Sequence, residues 1–299
     1  MLSPKQGLLH RYSPGPAATP IHLKDVFPEL RQPGAHVFPG FAVDSSGRVV
    51  VPALWRGLDR STVPAVLVLN PDGTRRRAVV LSPPVEIRRV AAGQDGMFYV
   101  LGLDAAYFRS SEAGCRLVHK YSPDGKRLAS FSSCPRTAGP ASSSATIRRL
   151  NQEVELGHLW TGNGSVYHAL PFSRELRVFT AGGRLVRRMR LEPPERNSLP
   201  SRYALAGEGS AGEYVWRIVP LAGGNFVVQW VHSQPQGAGW RNLPYLALHD
   251  ARGLALSRPR PLPWKRSGLA FSDGDGFCWF LRWVSPERSE LIRTKVSLD

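Results

Sequence analysis

Hydrophobic and polar positions between residues 41 and 81 alternate in a way that predicts one four-stranded antiparallel sheet. Turn residues interrupt the apolar runs at Ser45-Ser46-Gly47 and again at Asn70-Pro71-Asp72-Gly73. Asp-Gly between two apolar runs indicates a hairpin, because the tight turn needs a positive φ that glycine adopts without steric cost. The four strands are predicted at 41–44, 48–53, 65–69 and 74–81.

The same pattern recurs along the rest of the chain. Inner hairpins carry a glycine at positions 47, 96, 164, 224 and 276, and outer hairpins carry one at 73, 125, 183 and 253. Repetition every 40–60 residues or so, with four strands in each unit, is typical of β-propellers. Five modules are predicted, at 41–83, 90–133, 156–191, 218–262 and 269–299, with a further hairpin-like piece at 6–22.

The two ends of the chain complement each other. The last module stops without an outer strand, whereas the piece at 6–22 contributes strands without a module. Pairing them would leave no open sheet edge. We therefore predict an all-β fold, a single β-propeller over residues 1–299 with four-stranded blades, closed by the N- and C-terminal strands. No segment shows a helix-length apolar period, so 135–155 and 192–217 are interpreted as long loops between blades.

A recognisable motif lies in the first two modules. Phe-Ala-Val-Asp-x-x-Gly-x-Val-x-Val starts at Phe41, and Leu-Asn-Pro-Asp-Gly or Tyr-Ser-Pro-Asp-Gly follows in the outer hairpins. With these motifs the chain resembles bacterial six-bladed β-propellers of the NHL-repeat and TolB-like kind. The resemblance implies six blades as the preferred count, although five modules can be counted. It is best over 41–53, 69–75, 90–101 and 121–127.

Two cysteines, Cys115 and Cys134, flank a predicted hairpin. If Asp124-Gly125 is a two-residue turn, the cysteines stand directly opposite each other, within disulfide reach. They would form a hydrogen-bonded pair, the less favourable kind for bridging, and a one-residue change in the loop would separate them, so both states stay open. A disulfide would favour a periplasmic or secreted location over the cytoplasm. The start shows no signal peptide, and Met1 is either the native start or follows a removed leader.

Positive charge is the most systematic chemical feature. The formal net charge is +16, and 33 of the 39 basic residues are arginine. Such a balance fits an anionic partner, but it also fits codon usage that favours arginine. Cationic outer strands can equally protect an open sheet edge. Specific nucleic-acid binding is disfavoured, because the aromatic residues near arginine are predicted within strands or loops. The candidate residues for an anionic partner are Arg75, Arg76, Arg77, Arg187, Arg188 and Arg190.

Aspartates near the inner turns suggest a second kind of site. Equivalent turns of different blades converge on the propeller axis, and some lactonase-like members of the wider six-bladed group hold calcium there with carboxylate and amide oxygens. The same aspartates also suit turn capping, so both interpretations stay open. The candidate ligands of a Ca²⁺ ion are Asp44, Asp95, Asp273 and Asp275.

Local catalytic signatures are missing from the sequence. It contains no GxSxG elbow, no Walker loop and no CxxC or HxxxH pair. We therefore predict a non-catalytic, monomeric binding module without a cofactor or a transmembrane segment. Such a module would recognise a protein or an anionic ligand through one face. The alternative is a metal-dependent lactonase-like hydrolase with a divalent cation on the axis.

Overall fold

In this computed structural model, strands and tight turns make up most of the described residues. The structure describes residues 2–3, 8–9, 20–38, 40–57, 61–104, 114–135, 144–194, 212–236, 239–262, 267–272, 277–284 and 289–295. Across these residues no helix has the length and apolar character needed to cross a membrane.

A small sheet and two short helices precede the first blade. Strands β1 (Leu2–Ser3), β2 (Leu8–Leu9) and β3 (Ile21–His22) pair with one another in that order. They are followed by helix α1 (Leu23–Val26) and by a 3₁₀ helix (Pro28–Arg31). The Pro-containing connection predicted at 23–40 is therefore partly helical.

The first blade is built around two long strands. Its strands are β4 (His36–Val37), β5 (Ala42–Val43), β6 (Val49–Arg56), β7 (Thr62–Leu69) and β8 (Arg75–Val80). Strands β4 and β5 both pair with β6, so the innermost strand of this blade is interrupted between them. The strands predicted at 41–44, 48–53, 65–69 and 74–81 are confirmed as β5, β6, β7 and β8.

The second and third blades are four-stranded and follow the chain in order. The second contains β9 (Val85–Ala92), a 3₁₀ turn (Gln94–Gly96), β10 (Phe98–Asp104), β11 (Arg116–Tyr121) and β12 (Arg127–Ser133). Helix α2 (Ser144–Leu156) comes next. The third blade contains β13 (His158–Gly162), β14 (Ser165–Leu170), β15 (Glu175–Thr180) and β16 (Leu185–Arg190).

The fourth and fifth blades complete the described strands. The fourth contains β17 (Gly212–Pro220), a 3₁₀ turn (Ala222–Gly224), β18 (Phe226–Gln236), β19 (Gly239–His249) and β20 (Arg260–Pro261). The fifth contains β21 (Ser267–Ser272), β22 (Phe277–Trp283) and β23 (Ser289–Lys295). Strand β17 begins before residue 218, where the fourth module was predicted to start.

The predicted all-β propeller with four-stranded blades is confirmed, and the blade count is five. The preference for six blades is not confirmed. Within the described residues, β1, β2 and β3 pair with one another and β23 pairs with β22. Closure of the ring by the two termini stays a prediction.

The chain divides into two compact units, one of residues 1–168 and 177–187, the other of 169–176 and 188–299. In the first unit, side chains of the first blade alternate between its two faces, and each face packs against a different neighbour. Val50, Val66 and Val68 pack against the second blade. On the other face, Leu67 packs with Phe27 of the N-terminal segment. In the second unit, the fourth and fifth blades share a core of Val219, Val227, Leu246, Leu248, Leu269, Cys278 and Phe280.

The hairpin between the two cysteines reaches the predicted register by a different route. Its turn is one residue longer than a two-residue turn, because the Ser122 N–H donates to the Lys126 carbonyl (2.9 Å). A β-bulge near Tyr121 inserts one compensating residue into β12. Cys115 and Cys134 therefore still face each other, with Cα atoms 5.5 Å apart and a disulfide between them.

Helix α2 corrects the loop predicted at 135–155. The spacing of Ile147, Leu150 and Val154 fits one helical face, a short period within a polar segment that sequence reasoning missed. Leu150 and Val154 are buried. Burial of Leu150 and Val154 stabilises the helix, although most of its residues are polar.

Candidate functional site

A small cleft lies between the first and second blades, at the ends of their innermost strands. We call it the arginine cleft, because Arg48 and Arg77 supply its two positive charges and Asp44 its one carboxylate. Its remaining lining is apolar or backbone. The full lining is Asp44, Arg48, Val50, Val68, Arg77, Ala92, Gly93, Gly96, Met97 and Phe98.

Asp44 is fully engaged by its own turn. Its Oδ1 accepts from the backbone N–H groups of Ser46 (2.9 Å) and Arg48 (3.0 Å), and its Oδ2 accepts from Arg48 Nε. Only 5% of the Asp44 side chain is exposed. This is the turn-capping arrangement that the sequence left open as an alternative to metal binding.

The remaining candidate metal ligands lie beyond what the structure describes. Asp273 and Asp275 are outside the described residues, and for Asp95 only the backbone is described. Among the residues that are described, no three His, Cys, Asp or Glu side chains come close enough to hold a metal ion. The calcium site therefore stays a prediction.

Arg77 is the second cation of the cleft, and the carboxylate that interacts with it electrostatically is the exposed Asp124, which lies outside the lining. Strand alternation turns Arg77 and Val79 toward the second blade, while Arg76 points away and is exposed. The Nε of Arg77 is buried and has no hydrogen-bond partner within the described chain. Burial, aided by the neighbouring guanidinium groups of Arg76 and Arg48, lowers the pKa of Arg77 below its ordinary value.

Two of the other candidate arginines are neutralised by carboxylates of the same chain. Arg75 forms a bidentate pair with Glu29 (2.7 and 2.9 Å), and this hydrogen bonding lowers the pKa of Glu29. Arg188 donates to Glu175 (2.6 Å). Arg76, Arg187 and Arg190 are exposed on outer strands. Of the six candidates, the structure therefore brings only Arg77 into a cleft.

A second candidate surface lies on the innermost strands of the second unit, and sequence reasoning did not identify it. Trp216 and Phe271 are large aromatic residues that are 42% and 46% exposed. Arg217 lies beside Trp216 and donates from Nη2 to the Ala270 carbonyl (3.0 Å). In the sequence this surface is marked by Trp-Arg inside an apolar run, a pattern that by itself predicts a strand with a buried tryptophan.

Comparisons with known proteins give information about the fold alone. Neither a protein-family model nor a curated protein matches this sequence. An α-L-arabinanase from Penicillium chrysogenum, solved with arabinobiose, is 9% identical at a TM-score of 0.48, over 86% of this chain and 77% of that one. The propeller domain of the Trilobed protease from Pyrococcus furiosus is 8% identical at 0.41, over 86% and 82%.

A similar degree of likeness links the chain to a bacterial protein. A putative exported protein from Bacteroides fragilis is 11% identical at a TM-score of 0.47, over 83% of this chain and 66% of that one. Identities and TM-scores of this size carry no argument about activity. What the chain does must therefore be argued from its own residues.

Proposed function

We propose that the protein is a non-catalytic binding propeller that captures an anionic group in the arginine cleft. The observation that carries this proposal is the buried Nε of Arg77, a charged donor without an acceptor among the described residues. A buried donor that lacks its hydrogen bond costs roughly 1–3 kcal/mol. An oxyanion that accepted from Arg77 would remove this cost, and the energy gained would appear as binding affinity.

The charge balance of the cleft favours the same ligand class. Arg48 already forms an ion pair with Asp44, so the positive charge of Arg77 is the surplus. A guanidinium group offers planar, paired donors that suit carboxylate, phosphate and sulfate oxygens. The cleft has a free volume of only about 10 Å³, which is room for one water-sized group, so an anion would enter it with a single oxygen and leave its remaining atoms outside.

We expect Arg77→Met to raise the stability of the free protein by about 1 kcal/mol, because it removes the unsatisfied donor and keeps an apolar stem of similar length. The same change should abolish the stabilisation of the wild-type protein by sodium phosphate, compared with sodium chloride at equal ionic strength. Thermal unfolding followed by circular dichroism measures both effects.

Arg76→Met is the matched control for this prediction. It removes the neighbouring, exposed guanidinium, so the phosphate response should persist and stability should change by less than about 0.5 kcal/mol. A phosphate response of equal size in Arg77→Met and in the wild type would refute anion capture by the cleft.

The proposal also includes the cellular compartment in which the protein works. The disulfide between Cys115 and Cys134 supports a role in an oxidising environment outside the cytoplasm. The NHL-like and TolB-like assignment remains a proposal that rests on the motifs of the first two modules. The lactonase-like alternative stays a prediction, and metal analysis together with a calcium- and chelator-dependent melting shift would test it.

A further inference from the structure

Bulges on the innermost strands explain why Trp216 and Phe271 are exposed. In the fourth blade, Val215 pairs with Trp230 and Arg217 pairs with Gln229, so β17 contains one residue more than its partner at this point. In the fifth blade, β21 has the same irregularity between Leu269 and Phe271. An inserted residue places two consecutive side chains on one side of a strand.

The bulges thus expose Trp216, Arg217 and Phe271 on the innermost strands of two blades that Arg217 links by a hydrogen bond. Trp216 and Arg217 are consecutive and both exposed, which a regular strand with one buried face would not allow. The hydrogen bond from Arg217 to the carbonyl of Ala270, the residue before Phe271, ties the two bulges together. We call Trp216, Arg217 and Phe271 the bulge surface.

Both exposed rings of the bulge surface rest on other aromatic rings. Trp216 contacts Tyr214 edge-on at 6.4 Å, and Tyr214 stacks on Phe172 at 5.0 Å. Phe271 stacks on Trp279 at 5.5 Å with the ring planes 19° apart. This support holds the rings in place before any ligand arrives, so binding would lose little side-chain entropy.

We propose that the bulge surface binds an acidic oligosaccharide in which carboxylate-bearing and uncharged sugars alternate. The C–H face of a sugar ring packs well on the electron-rich face of an aromatic ring. Arg217 would donate to the carboxylate of the acidic sugar.

The number of charges separates this ligand from its alternatives. A nucleic acid carries one phosphate for every base, whereas the bulge surface offers one guanidinium for two aromatic rings. An oligosaccharide with one carboxylate for every two sugars has this ratio. A quaternary ammonium ligand also prefers aromatic faces, but the charge of Arg217 would repel it.

The test uses a hexasaccharide of alternating glucuronic acid and N-acetylglucosamine, its uncharged methyl ester, and a single-stranded oligothymidylate, titrated into the full chain by calorimetry. We expect the acidic hexasaccharide to bind best. Trp216→Ala and Phe271→Ala should each weaken it by about tenfold. Arg217→Met should remove the preference for the acid over the ester, which a purely structural role of Arg217 would not do.

Controls of the same residue types are available in the second unit. Leu256 is an exposed apolar residue and Arg258 an exposed cation, both outside the bulge surface, so Leu256→Ala and Arg258→Met should bind as the wild type does. Unchanged melting temperatures of the variants would show that they fold. Arg77→Met should keep full oligosaccharide binding, so this inference and the arginine cleft can fail separately.

Each of three results with the hexasaccharide would overturn the inference. They are no binding at millimolar concentration in low salt, equal affinity for the acid and the ester, and unchanged affinity in Trp216→Ala. Tighter binding of oligothymidylate that depends on Trp216 would assign the surface to nucleic acid and would equally reject the oligosaccharide.

Discussion

Gly125→Ala should destabilise the protein by about 4 kcal/mol, because the added methyl group meets both backbone strain and a neighbouring blade. Gly125 has φ = +89°, where an L-residue is strained by roughly 1–2 kcal/mol. A Cβ atom there would lie 2.0 Å from the carbonyl oxygen of Val80, a backbone atom that cannot rotate away. The turn would have to withdraw from the first blade.

That withdrawal would break hydrogen bonds between two blades. The Ser82 N–H donates to the Gly125 carbonyl and the Arg127 N–H donates to the Ser82 carbonyl, both at 2.8 Å. Each is worth about 1 kcal/mol. Urea unfolding of Gly125→Ala, followed by circular dichroism, measures the total loss.

Gly164→Ala separates backbone strain from the close approach. Gly164 also has a positive φ (+71°), but no atom of the described residues, apart from its own chain neighbours, lies within 4 Å of the Cβ position. It should cost only about 1 kcal/mol. Equal losses in Gly125→Ala and Gly164→Ala would show that contact with the first blade contributes nothing.

The protein should begin to lose stability at pH values well above the pKa of its carboxylates. The cause is the burial of two histidines of the first unit. Desolvation, with the charge of Arg127 as a second cause, lowers the pKa of His119 to about 4. Desolvation and the charge of Arg177 lower that of His168 to about 3. Both pKa values lie near 6.5 in the unfolded chain.

The sign of the pH dependence follows from proton uptake. Well above pH 6.5 neither state binds these protons, so this contribution to stability is complete. As the pH falls from 6.5 toward 4, the unfolded chain binds protons that the folded protein refuses, and stability falls. The two histidines together should cost about 4 kcal/mol between pH 7 and pH 5.

His168→Gln tests this account with the least disturbance. His168 Nδ1 lies 2.6 Å from the Ser132 hydroxyl, which also accepts from Arg177, and a glutamine amide oxygen can accept the hydroxyl proton in its place. Between pH 7 and pH 5 the variant should lose about 2 kcal/mol less stability than the wild type, measured by urea unfolding at each pH.

The exposed His36 supplies the control for acid destabilisation. His36→Gln should leave the slope of stability against pH as it is in the wild type. A slope that is the same in His168→Gln as in the wild type would mean that His168 takes up its proton in the folded protein as easily as in the unfolded chain.

Sequence patterns predicted the strands and the outer turns correctly but missed helix α2. Alternation of apolar residues gave the strands of the first blade, and glycine marked the outer turns, all of which have a positive φ at positions 73, 125, 183 and 253. Counting also placed Cys115 opposite Cys134 but left the disulfide open, and the register holds because a longer turn and a bulge cancel each other. These features depend on neighbours within a few residues, so the sequence contains them.

The sequence could not show which arginines keep a free charge. Arg75, Arg76 and Arg77 cannot be told apart in the sequence. Glu29, which is 46 residues away from Arg75, neutralises it. Arg77 lines the cleft, whereas Arg76 is exposed to solvent. Such pairing depends on which segments the fold brings together. It is a long-range property that a local pattern does not encode.

Taken alone, the amino-acid sequence determined the blade as the repeating unit, its strands, its turns and the basic character of the protein. Only the tertiary structure decided the count of five, the pairing of the N-terminal strands with one another, the unpaired Nε of Arg77 within the described residues and the exposure of Trp216. The physical reason lies in the bulge and the ion pair. One inserted residue reverses the face on which a side chain lies, and one distant carboxylate cancels a charge, while neither leaves a mark in the local sequence.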